Sequence, residues 1–151
     1  MLFSDLLSPK SILVPLAAAK RDDVVAALVG ALDAALSAKD RDEFKAAVLA
    51  REAVGSTGLG NGIAIPHART TRVASPRLAV GLAAKPVEFN AADGKPVALF
   101  FLLAVPASDP TVHLKVLAAL SRLASDKKLL KSLLKAPSAE ILYGLISSLS
   151  V

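Results

Sequence analysis

The sequence predicts an α/β fold in which a mixed β-sheet carries helices on both faces. Helical periodicity is confined to the two ends of the chain, while short strand-like runs fill the middle. The connections between those runs have lengths that suit a sheet of mixed direction. Third, the 151 residues are 54% apolar and 21% charged, with one Tyr, no Trp and five Phe. That composition describes a folded globule with an aliphatic core of Ala, Leu and Val. Residues 1–151 are expected to form one domain, burying roughly 70% of its unfolded surface.

Each element has its own signal. Ser11 to Ala18 reads as a first strand, and Pro15 gives it an edge position because proline cannot donate to a neighbour on both sides. Asp22 to Ser37 carries Val25, Leu28, Leu32, Ala35 and Leu36 at helical spacing, although Ala19 stands before it where a polar cap would be expected. Asp40 with Glu43 resembles a capping box, so a second helix is expected from Asp40, with Phe44, Ala47 and Val48 on its buried face. "GIAIP" is too short for a helix and reads as a strand. Arg77 to Ala84 and Val97 to Val105 are two more, separated by a segment in which Asp93-Gly94 makes a tight turn. Asp109 caps a following helix with Pro110 at its first position, and Pro137 opens the last one.

Composition also excludes. No window approaches the roughly 20 apolar residues of a membrane span, and the start "MLFSDLLSPK" has no basic leader of a secretory signal. The absence of cysteine removes disulfides and thiol catalysis, and a cytoplasmic location is expected. The net charge of +5 is scattered, without a basic cluster or stacking aromatics, so no nucleic-acid partner is expected.

Residues 51–70, "REAVGSTGLGNGIAIPHART", concentrate the chemistry. A phosphate loop would need Lys then Ser or Thr after its last glycine, where Asn61 and Gly62 stand. A dinucleotide fingerprint starting at Gly58 would need glycine at Ile63. Two histidines 46 positions apart make a poor metal site, so no metal and no cofactor is expected. Ser56 lacks the elbow of a nucleophilic serine. An ordinary turn, with Gly55 closing the second helix and His67 a plain loop residue, is one reading. A chemical reading accounts for more residues. Gly58 and Gly60 let backbone N–H groups approach an anion, Ser56 and Thr57 add hydroxyls, and Pro66 holds His67 at the sheet edge by ending strand pairing just before it. A neutral imidazole beside an anion cradle is suited to accept a phosphoryl group. Arg51 lies on the buried stripe of the second helix, four residues before Gly55. It could fork onto a phosphoryl oxygen or serve the helix's own carbonyls. His113 falls in the first turns of its helix, on the stripe of Leu117, Leu120 and Ala124. It is either a core residue or an N–H donor where an anion is favoured.

At these residues the chain resembles the enzyme IIA proteins of the bacterial phosphotransferase system, in the fructose/mannitol branch that includes the stand-alone nitrogen-regulatory form. "REAVGSTGLGNGIAIPH" carries the specific match, and weaker similarity runs through "FNAADGKPVALFFLLAVP" and "HLKVLAALSRLA". The resemblance implies that His67 is phosphorylated on Nε2 by a small histidine phosphocarrier protein, of the HPr or NPr type. It implies that Arg51 is the active-site arginine, that His113 assists, and that Ser56 and Thr57 line the site. The step implied is transfer between imidazoles, achieved by alignment and by spreading charge over the equatorial oxygens.

Without a fused membrane or carrier domain in the sequence, a regulator of transport or nitrogen metabolism is expected, acting on an unidentified transporter or sensor. A sugar-transport intermediate is the alternative. A hydrolase with Ser56 as nucleophile lacks an acid partner, and a binding module that no longer takes phosphate is the third class. The docking face around His67 is expected to be ringed by Leu59, Ile63 and Leu114.

Overall fold

The computed structural model describes residues 1–32, 35–109 and 111–151. Strands β1 (Ile12–Leu16), β2 (Gly58–Gly60), β3 (Ile63–Ala64), β4 (His67–Thr70), β5 (Arg77–Val87) and β6 (Val97–Pro106) form one sheet. The helices are α1 (Arg21–Gly30), α2 (Ala38–Val54), α3 (Val112–Ser125), α4 (Lys127–Leu134) and α5 (Ala139–Ile146). The strand order is β1-β5-β6-β3-β2, with β4 continuing alongside β6 beyond β3. β1 runs parallel to β5, β3 and β4 run parallel to β6, and β5–β6 and β2–β3 are antiparallel. The sheet is therefore mixed, and β1 with its Pro15 lies at an edge, as the sequence predicts.

The sheet has two cores because β6 is buried on both faces. Leu99, Phe101, Leu103 and Val105 pack toward Val116, Leu120, Leu133 and Leu142 of α3, α4 and α5. The alternate residues Phe100, Leu102 and Ala104 pack toward Leu28, Phe44 and Val48 of α1 and α2. A strand covered on both sides reads as a continuous apolar run, and "VALFFLLAVP" is one.

Helix boundaries correct the expectation in several places. The run expected from Asp22 to Ser37 is helical only to Gly30 among the described residues, and positions 33 and 34 lie outside them. Ser37 belongs to the next element: its hydroxyl accepts the Asp40 N–H at 3.2 Å and caps α2. Asp40 is thus inside the first turn, and Asp40 and Glu43 face Arg72 at 3.2 and 4.0 Å instead of forming a capping box. α1 starts at Arg21, and its N-cap residue Lys20, next to Ala19, provides no side-chain cap. α3 begins at Val112 with Thr111, not Asp109, at its N-cap, although the Asp109 carboxylate still accepts the Val112 N–H at 3.3 Å; Pro110 lies outside the described residues. Ser138, just after Pro137, caps α5 through the Ile141 N–H.

A candidate phosphoryl-acceptor site

The glycine segment between α2 and β3 is a hairpin. Gly60 pairs with Ile63 across Asn61-Gly62, whose φ values are 57° and 80°. Positive φ at both central residues is the turn that follows the twist of two antiparallel strands, and Asn-Gly is its preferred sequence. Gly58 is needed for another reason. A Cβ there would lie 2.7 Å from Ala91 Cα, so the hairpin can pack on the β5–β6 connection only with glycine. Asp93 fixes the hairpin tip to that connection, accepting the Lys95 N–H at 3.0 Å and the Asn61 N–H at 3.1 Å. Those N–H groups, Lys95 first, hold its carboxyl below the usual carboxylate range.

The expected anion cradle is not assembled by this segment. The Ser56 hydroxyl donates to the Phe89 carbonyl at 2.6 Å and accepts from the Gly58 N–H at 3.0 Å. Thr57 is buried, and both its hydroxyl and its N–H donate to the buried carboxylate of Glu52. With those groups committed internally, Ser56, Thr57, Gly58 and Gly60 stand outside the cavity at His67.

What the hairpin does is position the histidine. The Thr57 carbonyl accepts the Ile65 N–H at 3.1 Å. The Ile65 carbonyl in turn lies 2.8 Å from His67 Nδ1. A carbonyl can only accept, so Nδ1 carries the proton and the Nε2 of the neutral ring keeps its lone pair. The register with β6 is interrupted after Ala64 and resumes at His67 opposite Leu103, while the Pro66 carbonyl, which needs no N–H of its own, accepts the Leu103 N–H at 3.0 Å. His67 is therefore the first residue of an edge strand, half-buried, and not an unpaired residue beyond one.

Four polar side chains converge on one open cavity of about 370 Å³. α2 contributes Ala47 and Arg51, β4 contributes His67, Ala68 and Arg69, β6 contributes Val105, and α3 contributes His113. Of the residues predicted for the site, the fold thus gathers Arg51, His67 and His113. Arg51 also gives Nη1 to the Gly55 carbonyl at 2.7 Å, so it serves its own helix end as well as lining the cavity. His113 is the second residue of α3, and its Nδ1 is buried without a hydrogen-bond partner among the described residues. A buried polar atom needs a hydrogen-bond partner, and beside a cavity a ligand, a partner protein or an ordered water can supply it.

Arg69 was not singled out in the sequence. The signal was the alternation His67-x-Arg69, which becomes visible only once residues 67–70 are known to be a strand. Among the described residues, none that lines the cavity is acidic. The arrangement offers a bare imidazole nitrogen in a cationic recess, which suits an anionic electrophile.

None of the three residues expected in an apolar ring lines the cavity at His67. Leu114 is 61% exposed and Leu59 43% exposed, but Ile63 is 0% exposed and belongs to the core. Its side chain leaves β3 on the face that the helices cover, in one cluster with Ile65, Leu99, Val116 and Leu120.

Among the described residues no helix is long and apolar enough to cross a membrane, and no group of three or more His, Asp or Glu could hold a metal ion.

Comparison with known proteins converges on one group. Residues 5–149 match the family model described as phosphoenolpyruvate-dependent sugar phosphotransferase system, EIIA 2. A nitrogen regulatory protein of Pseudomonas aeruginosa is 41% identical over 116 residues, covering 74% of this chain and 75% of that protein. The fructose-specific EIIABC component of Bacillus subtilis is 35% identical over 147 residues, covering 97% of this chain. The chain spans only 23% of that relative's length. The crystal structure of nitrogen regulatory protein IIA-Ntr from Neisseria meningitidis superposes with a TM-score of 0.87 at 32% identity, covering 95% of this chain and 97% of that one.

Proposed function

Because the chain belongs to the EIIA 2 family of the phosphoenolpyruvate-dependent sugar phosphotransferase system, we propose that His67 is its phosphoryl acceptor, charged by a histidine phosphocarrier protein of the HPr or NPr type. The observation that carries the assignment is the Nδ1–Ile65 hydrogen bond of 2.8 Å. It leaves Nε2 as the nucleophile, in a recess shared with Arg51 and His113.

The donor's phosphoryl group approaches in line with Nε2. Its N–P bond breaks as the new one forms, and charge on the equatorial oxygens is met by cationic side chains and not by a general acid. His67 need not lose its Nδ1 proton during the step. Donor and acceptor are both imidazoles, so the transfer is reversible. His113, at the positive end of α3, assists by holding the phosphoryl group or the ring.

The regulatory role fits best. The P. aeruginosa nitrogen regulatory protein and the N. meningitidis IIA-Ntr, both at more than 30% identity, support it. On this reading the chain acts in the cytoplasm as one IIA-type domain, through a transporter or sensor that distinguishes its two phosphorylation states. The B. subtilis relative, similar along 97% of this chain, favours a sugar-transport intermediate as the second reading.

Incubation with phosphoenolpyruvate, enzyme I and phosphocarrier tests the assignment. Label should enter His67 alone, and it should be acid-labile and alkali-stable as expected for a phosphoramidate bond. His67→Ala should take up no label while keeping its circular dichroism and melting temperature. Labelling of that variant would overturn the assignment. Passage of the label to a sugar-specific acceptor protein would favour the transport reading.

A further inference from the structure

Three arginines lie along the seam between α2 and the β4 region, and two of them are occupied. Arg72 faces Asp40 at 3.2 Å and Glu43 at 4.0 Å. Arg51 donates to the Gly55 carbonyl at 2.7 Å, which uses only one of its nitrogens. Arg69 makes no salt bridge or side-chain hydrogen bond among the described residues. It is exposed, yet it lines the same cavity as His67.

Its placement follows from the strand. Residues two apart on β4 share a face. His67 pairs with Leu103 and Arg69 with Val105, and both partners belong to the core on the α3 side. Arg69 therefore rises beside the imidazole on the face from which His113 approaches. A phosphoryl group on nitrogen carries close to two negative charges near neutral pH. Arg51 supplies one positive charge, and among the described residues the lining of this cavity contains no acid; Asp40 and Glu43, which line the adjoining cavity with Arg69, are engaged by Arg72.

We propose that Arg69 is the second guanidinium contact of the phosphoryl group, a catalytic residue that holds an equatorial oxygen as the group passes to His67. This rests on His67 being the acceptor. In the step, the donor N–P bond breaks and its electron pair stays on the donor nitrogen, while the lone pair of His67 Nε2 forms the new N–P bond. Arg69 neither gives nor takes a proton. Its fork offers two parallel N–H donors to oxygens that gain charge density in the transfer.

The alternative role for an exposed arginine here is to dock an acidic patch of the phosphocarrier, and a small donor separates the two. Phosphorylation of the full chain would be followed with phosphoramidate and, separately, with the phosphorylated carrier, for wild type, Arg69→Ala and Arg69→Lys. Arg69→Ala should be slower with both donors by roughly tenfold, below the 10²- to 10³-fold of a water-excluded donor because Arg69 is screened by solvent. Arg69→Lys should recover part of the rate. In ³¹P NMR, the phosphohistidine of Arg69→Ala should titrate at higher pH than that of wild type, since removing a cation favours the protonated phosphoryl group. A defect with the carrier alone, or none with either donor, overturns the contact. Wild type that takes no label on His67 overturns the acceptor reading and the Arg69 contact with it, whereas normal wild-type labelling with an unaffected Arg69→Ala overturns only the contact.

Discussion

Thr57→Val separates a hydroxyl that binds phosphate from one that holds the fold. Thr57 and Glu52 are 6% and 4% exposed, and the Thr57 hydroxyl and N–H both donate to the Glu52 carboxylate. Valine keeps the shape of threonine but leaves that buried carboxylate with the single N–H at 3.2 Å. A hydrogen bond to a charged group contributes about 1.5–3 kcal/mol. For a chain of this length each kcal/mol moves Tm by about 2–4 °C, so a loss near 2 kcal/mol should lower it by about 4–8 °C. Thr57→Ser keeps the hydroxyl, and a lost methyl should cost only about 0.8 kcal/mol. Because Thr57 lies outside the cavity at His67, the rate of labelling below the melting range should stay within about threefold of wild type. Thermal melts and timed labelling at one temperature measure both quantities. Unchanged Tm with a hundredfold slower transfer would refute the argument and return Thr57 to the phosphoryl group.

Two further perturbations test other parts of the construction. Arg51→Ala should slow transfer to His67 by about 10²–10³-fold, the cost of removing a donor aimed at developing charge, with labelling still reaching the wild-type end point; transfer at the wild-type rate would leave Arg51 as a helix-end residue only. For Asp93, whose carboxyl is held below its usual range mainly by the Lys95 N–H, the stability it adds is present above the unfolded carboxylate pKa of about 3.9 and is lost as pH falls through the lower folded value. Asp93→Asn should therefore be less stable than wild type at about pH 6 and converge with it near pH 2, and a gap in denaturation midpoints that widens toward acid would contradict that sign.

Legibility in the sequence followed how local each cause was. β5 and β6 were readable because burial on both faces leaves an uninterrupted apolar run. β2 and β4 were not, since three or four residues such as "GLG" and "HART" become strands only by finding a partner edge. The Asn61-Gly62 turn is legible from its dipeptide, and an anion-binding reading of the surrounding glycines obscures it. Their actual demands are local: positive φ at Gly60 and Gly62, and contact of Gly58 with Ala91. Ser37 and Asp40 are both good caps, and the sequence alone could not say which began α2. At the site, His67, Arg51 and His113 were identifiable one by one, but their meeting depends on the order of strands and the placing of two helices. Arg69 depends on β4, which has no sequence signal of its own, and the burial of Ile63 depends on the apolar layer that α3, α4 and α5 build over that face of the sheet.

These placements change what phosphorylation would do to the surface. A phosphoryl group on His67 adds close to two negative charges, and on an uncharged face it would create an anionic patch that repels partners. This face is not uncharged, because Arg51 and Arg69 border the imidazole and none of the described lining residues is acidic. The added charge would be spent first on cancelling two guanidinium groups. The unphosphorylated state is then the distinctive one, a positive recess beside the exposed Leu114, and a partner that reads it should present acidic groups with an apolar contact. Phosphorylation would release such a partner by removing attraction and occupying the recess, with little net repulsion. Attraction between exposed charges is screened within about 8–10 Å at ordinary ionic strength. Discrimination between the two states should consequently weaken as salt rises, and a single carboxylate at position 67 would cancel only half of the charge that the phosphoryl group does.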